Sequence, residues 1–317
     1  MRIPLRAAAA ALVLVASTAC SPPDSAPPAS PTIGGPTEST PRTPAGPDAN
    51  ALDLTEPGAA EALVGRLVEA AGVSKVLMVT VTAADASIVV VRDGTPEAWA
   101  WRDGRIRQVP SDVTYVAQQV FDPTAFSFHD LGALFRLAES VSGSRQGQAL
   151  QIVDYSAGLV SMSVSTNPES RAVFLQPDGS LLPTLDFTSG WGLAEGYADV
   201  VGPRRAASAM GFGSATGVYL DSPPDAGGSF QRRQRMARTP VIVTPRTASD
   251  PTRSFDPAQV TPATVWGVLR QLRADGTFTL DTTWTCVVDD RDGTGTPLMR
   301  FSIGEESFVT TLSGVRV

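Results

Sequence analysis

The chain has 317 residues and a formal net charge of −7, with 42% hydrophobic and 18% charged residues. That acidic balance lacks the basic footprint that nucleic-acid binding needs. Two cysteines and one histidine are too few for a disulfide-stapled fold or an ordinary zinc site, so no metal or other cofactor is expected.

In chain order, Arg2 and Arg6 precede an apolar run from Ala7 to Ala16, and the small residues Ser17, Thr18 and Ala19 lead to Cys20. The run is shorter than the roughly 20 residues that span a bilayer, and has the length of a secretory h-region. From Ser21 to Asn50 proline, serine, threonine, alanine and glycine dominate. This composition cannot bury a core and reads as an extended tether. Fully stretched, such a segment reaches about 100 Å.

The first twenty residues resemble a bacterial lipoprotein signal with its lipobox, although Ser17 stands where that pattern usually has leucine. The resemblance implies removal of residues 1–19, acylation of Cys20 (diacylation, with palmitate-type chains) and anchoring on the outer face of the cell membrane. A single lysine, Lys75, among the cations, together with abundant Ala, Gly, Pro and Val, suggests the GC-rich coding of an actinomycete. With Cys20 lipidated, Cys286 in "WTCVVDD" has no partner and reads as a buried strand residue.

Beyond the tether the sequence repeats. "FDPTAFSFHDLGALFRLAES" from Phe121 and "FDPAQVTPATVWGVLRQLRA" from Phe255 lie 134 residues apart without a gap. In each, the proline disfavours helix for the residue before it. Ser127 or Thr261 offers a cap, Pro262 fits a first helical turn, and apolar residues follow at helical spacing. "QIVDYSAG" from Gln151 aligns with "CVVDDRDG" from Cys286, and two strand-like stretches follow each. Upstream, a helix over 58–71 leads to three strands, "KVLMVTVTA", "SIVVVRDG" and "EAWAWRDGRI". In the second half "WGLAEGYADVV" leads to "ASAMGFG", "TGVYLDS" and "SFQRRQRMA". Val89, Val91, Trp99 and Trp101 fit a sheet with one buried face.

The expectation is therefore an α+β protein built by tandem duplication: residues 51–185 and 186–317, each a helix–three-strand–helix–three-strand unit with antiparallel sheet covered by helices. This layout is similar to PepSY-type modules and to actinobacterial lipoproteins of unassigned role.

Candidate sites are few. His129, expected in the first turn of the second helix, is the only residue through which a histidine mechanism can run. "GFGSATG" from Gly211 precedes a strand rather than a helix, so it reads as a hairpin turn, not a phosphate cradle. "DDRDGTG" from Asp289 lacks ligands at the ends of a calcium loop and reads as a charged turn. The basic cluster Arg232, Arg233, Arg235 and Arg238 is the one local hint of a ligand. On a strand Arg233 and Arg235 share a face, suited to a lipid phosphate, an acidic wall polymer or a partner's carboxylates. Three functions follow as expectations: a binding or scaffolding lipoprotein, a carrier of lipid or glycolipid, and, behind these, a hydrolase without a recognisable motif.

Overall fold

The computed structural model describes residues 52–317 apart from 103, 112, 114–117, 167–171, 248–252 and 280. The leader, Cys20 and the tether lie outside the described residues. Among the described residues no helix is long and apolar enough to cross a membrane.

The chain is α+β. The first half runs α1 (Ala59–Ala71), β1 (Met78–Val81), β2 (Ala86–Arg92), β3 (Thr95–Arg102), β4 (Arg105–Val109), α2 (Leu131–Ser142), β5 (Ala149–Ser156), β6 (Leu159–Ser165) and β7 (Val173–Leu175). The second half repeats it as α3 (Gly190–Val201), β8 (Ala209–Gly213), β9 (Gly217–Asp221), β10 (Ser229–Arg235), β11 (Ile242–Thr247), α4 (Pro262–Ala274), β12 (Trp284–Asp289), β13 (Leu298–Ile303) and β14 (Glu306–Thr310). Each half forms one seven-stranded antiparallel sheet, ordered β4-β3-β2-β1-β5-β6-β7 and β11-β10-β9-β8-β12-β13-β14. A fourth strand thus extends the first expected trio of each half. Arg102 at the end of β3 pairs with Arg105 at the start of β4, and β11 is an edge strand, the position in a sheet that tolerates its Pro245.

The Phe-Asp-Pro repeat has one physical explanation in both halves. Asp122 and Asp256 cap single 3-10 turns by accepting from the amides of Thr124 and Ala258, with proline in the first turn. Phe121 and Phe255 are buried, and each makes a two-bond bridge, to Val76 and to Ala207, just ahead of the first strand of its sheet. Capping departs from expectation at α2, where Asp130 rather than Ser127 caps by accepting from Ala133 N at 2.7 Å. Thr261 does precede α4, but its side chain makes no capping bond.

Register corrects the alignment of the two copies. Val79 pairs with Ile152 and Met210 pairs with Val288, so Ile152 matches Val288 and Asp154 matches Asp290. The sequence alignment set Ile152 against Val287, one residue off, which places a core residue against an outward one. The outer face also differs from the simple alternation. Ile88, Val90, Trp99 and Trp101 face the helices, whereas Val89 and Ala98 belong to a second small cluster with Val113 and Val120 on the opposite face.

Candidate functional site

Alternation along β10 sends Arg233 and Arg235 to one face, as the sequence suggests, and that face is the buried one beneath α3. Their guanidinium groups are therefore engaged inside the fold. Arg233 donates to the carbonyls of Val200 (3.0 Å) and Asp199 (3.3 Å) at the C-terminal end of α3, where a cation meets the negative end of the dipole. Burial, with Arg204 nearby, lowers its pKa to about 10, which leaves it charged at neutral pH. Arg235, 1% exposed, donates to Asp199 Oδ2 (2.9 Å), to the carbonyl of Pro183 (2.8 Å) and to the carbonyls of Met236 and Thr239. One side chain thereby joins α3, the link between the two halves and the turn after β10.

Arg232 points the other way. It binds Asp221 through two bonds of 2.7 Å and lies 3.8 Å over the Tyr219 ring, and the bond to Asp221 raises its own pKa. Arg238, beyond the end of β10, is exposed and makes no hydrogen bond or ion pair with a described residue.

The structure thus separates the cluster into three arginines that hold the fold and one that borders a groove. This groove of about 740 Å³ lies where the halves meet, between Val141, Tyr155, Phe174, Leu181 and the Arg238-Thr239 corner. Its wall mixes apolar side chains with Thr184, Arg238 and Thr239, and on the apolar side Tyr155 and Phe174 pack edge to face at 5.0 Å. Val141 and Tyr155 are among the few large hydrophobic side chains that stay exposed. At the corner, Thr239 Oγ1 is buried without a hydrogen-bond partner among the described residues, while the backbone carbonyl of the same residue is held by Arg235. A buried hydroxyl left without a partner costs about 1–3 kcal/mol, a cost that this corner of the fold carries. An exposed guanidinium bordering a groove with Tyr155, Phe174 and Leu181 in its wall is chemically suited to a carboxylate or phosphate that carries a hydrocarbon tail.

The other sequence candidates fall elsewhere. His129 precedes α2 rather than lying in its first turn. Its Nδ1 is 3.2 Å from Glu61 Oε2, and its carbonyl accepts from Gly58 N at 2.7 Å. Cys286 is fully buried in β12, and burial pushes its thiol up, away from the reactive thiolate form. Gly211 to Gly217 is the β8–β9 hairpin, closed by the Gly213–Gly217 pair. In the charged turn, Asp290 accepts from the amides of Thr294 (2.9 Å) and Gly295 (2.8 Å).

Sequence reasoning missed the link between the halves, residues 181–185, because nothing in its composition sets it apart. It also missed a second repeated motif, "LDLT" from Leu52 and "LDFT" from Leu185. In each, the aspartate accepts from the threonine amide and hydroxyl ahead of the helix.

Comparison with protein-family models, with curated proteins and with solved structures finds no match.

Proposed function

We propose that the chain is a lipid-anchored binding module on the outer face of the cell membrane, and that its groove takes an amphipathic anion such as a fatty acid or an anionic lipid. The carboxylate or phosphate meets Arg238 and Thr239, and the hydrocarbon lies along Tyr155, Phe174 and Leu181. The observation that carries this reading is an exposed guanidinium, that of Arg238, with no ion pair among the described residues, at the border of a groove walled by Tyr155, Phe174 and Leu181. The signal-like leader and tether support the location, since a tether of that length lets the groove reach lipid near the surface.

Titration with the fluorescent fatty acid cis-parinarate tests it. Arg238→Ala is expected to weaken binding about tenfold, the loss of one charge-assisted hydrogen bond of about 1.5 kcal/mol. Leu181→Asp is expected to abolish it. Native mass spectrometry of protein purified from its own host should show an added mass that Leu181→Asp lacks. Equal binding by all three proteins would overturn the groove as the site. Cys20→Ala should release the protein from the membrane fraction, and retention there would overturn the anchor.

A further inference from the structure

A second cavity lies wholly within the first half. It is a hollow of about 470 Å³ between α1 and the 3-10 turn Pro123–Ala125, lined by Val64, Gly65, Val68, Pro123, Phe126 and Phe128. Its rim is acidic. Glu61 is held by Phe128 N (3.1 Å) and by His129 (3.2 Å). Asp122 accepts from the amide and hydroxyl of Thr124, bonds that hold its carboxyl below the usual range.

The duplication shows what such a hollow accepts. Tyr197 stands nine residues after the threonine of LDFT, as Val64 stands nine residues after that of LDLT. From α3 its ring crosses to the matching 3-10 turn, where its hydroxyl donates to the carbonyl of Pro257 at 2.8 Å. In the first half that carbonyl belongs to Pro123, which among the described residues accepts only the 3.2 Å bond from Phe126 N within its own turn. Val64 is too short to cross, and a Cβ added to Gly65 would meet nothing within 4 Å.

We propose that the first-half hollow is a binding site for a neutral phenolic ring, which inserts beside Val64 and Gly65 and donates its hydroxyl to the carbonyl of Pro123, as Tyr197 does within the second half. The apolar lining supplies the contact area for the ring. Glu61 and Asp122 at the rim repel an anionic ring, so p-hydroxybenzoate is excluded on charge and p-cresol is accepted. Toluene, which lacks the donor, fits the walls but leaves the carbonyl unmet.

Calorimetric titration of the whole protein with p-cresol, toluene and p-hydroxybenzoate provides the test. P-cresol is expected to bind with one site per chain, toluene about tenfold more weakly, and p-hydroxybenzoate at least tenfold more weakly. Val64→Tyr supplies the ring that the second half already has. It should fold with an unchanged or higher Tm and lose p-cresol binding at least tenfold. Gly65→Leu, which fills the hollow from a different position and favours helix, should do the same and covers the case of a misfolded tyrosine variant. Undiminished binding in a folded variant of either kind would overturn the site. Equal affinity for toluene and p-cresol would overturn the hydrogen bond to Pro123.

Discussion

Asp289 lies between two guanidinium groups on the face of the second sheet that the helices do not cover. It is 4% exposed, accepts from Arg291 Nε (2.9 Å) and Arg300 Nε (3.3 Å), and Arg300 in turn holds Asp292 at 2.6 Å. Burial alone would raise its carboxyl, but the hydrogen bonds and charge of Arg291 and the bond from Arg300 bring it below the ordinary value of 3.8. A carboxylate with a lowered pKa in the folded state stabilises above its unfolded value and loses that contribution as pH falls through the folded value. Asp289→Asn is therefore expected to cost about 3 kcal/mol in urea unfolding at pH 7, and markedly less near pH 3. The same cost at both pH values would rule out the charge as its origin. The sequence displays Asp289 and Arg291 in a charged turn and Arg300 in the strand-like stretch after it. Their pairing depends on the β12–β13 register, Val287 opposite Arg300, which composition does not specify. The same holds for the arginine cluster. Its alternation was legible from spacing alone, whereas the oxygens that bind it come from Asp199, Asp221 and Pro183, up to 52 residues away.

At the level of elements, helices and inner strands were the legible part, because local periodicity and proline placement dictate them. Edge strands were not, since their residues alternate weakly and β11 carries an internal proline. Gly211 carries a constraint that the hairpin reading of its motif does not contain. In sequence it opens a glycine-rich loop, but in the sheet it makes room for the Tyr219 ring. A Cβ at that position would stand 1.9 Å from Tyr219 Cε1. Arg232 covers the other side of the ring, so the ring cannot move outward without breaking that contact. Gly211→Ala is expected to destabilise by about 2 kcal/mol through displaced packing, and Gly211→Ala/Tyr219→Ala by less than the sum of the single changes. Additive losses in a double-mutant cycle would refute the contact as the reason for glycine.

Across the molecule, two separate apolar cores form, one beneath each sheet. Ser156 joins the halves directly through Val243, and the link is tied to the second half where Leu185 N meets the Ala237 carbonyl (2.9 Å) and where Arg235 holds Pro183. Ile152→Ala in the first core is expected to cost about 2–5 kcal/mol and to lower hydrogen-exchange protection in β1 and β5 more than in β8 and β12. Equal loss in both sheets would mean that the halves open as one. Duplication was readable from Phe-Asp-Pro, but the groove was not. It is assembled from the link near residue 182, the turn near 239 and the ends of β5 and α2, which only the packing of one copy on the other brings together.

Ser156 also bears on how the protein behaves at high concentration. Its hydroxyl donates to the carbonyl of Val243 at 3.1 Å and accepts from the amide at 2.7 Å, standing in for a neighbouring strand along the open side of β11. An unpaired strand edge is a template on which a second chain can add. One serine on the first copy therefore occupies the outward backbone groups of Val243, and a second chain cannot pair with β11 at that residue without displacing it.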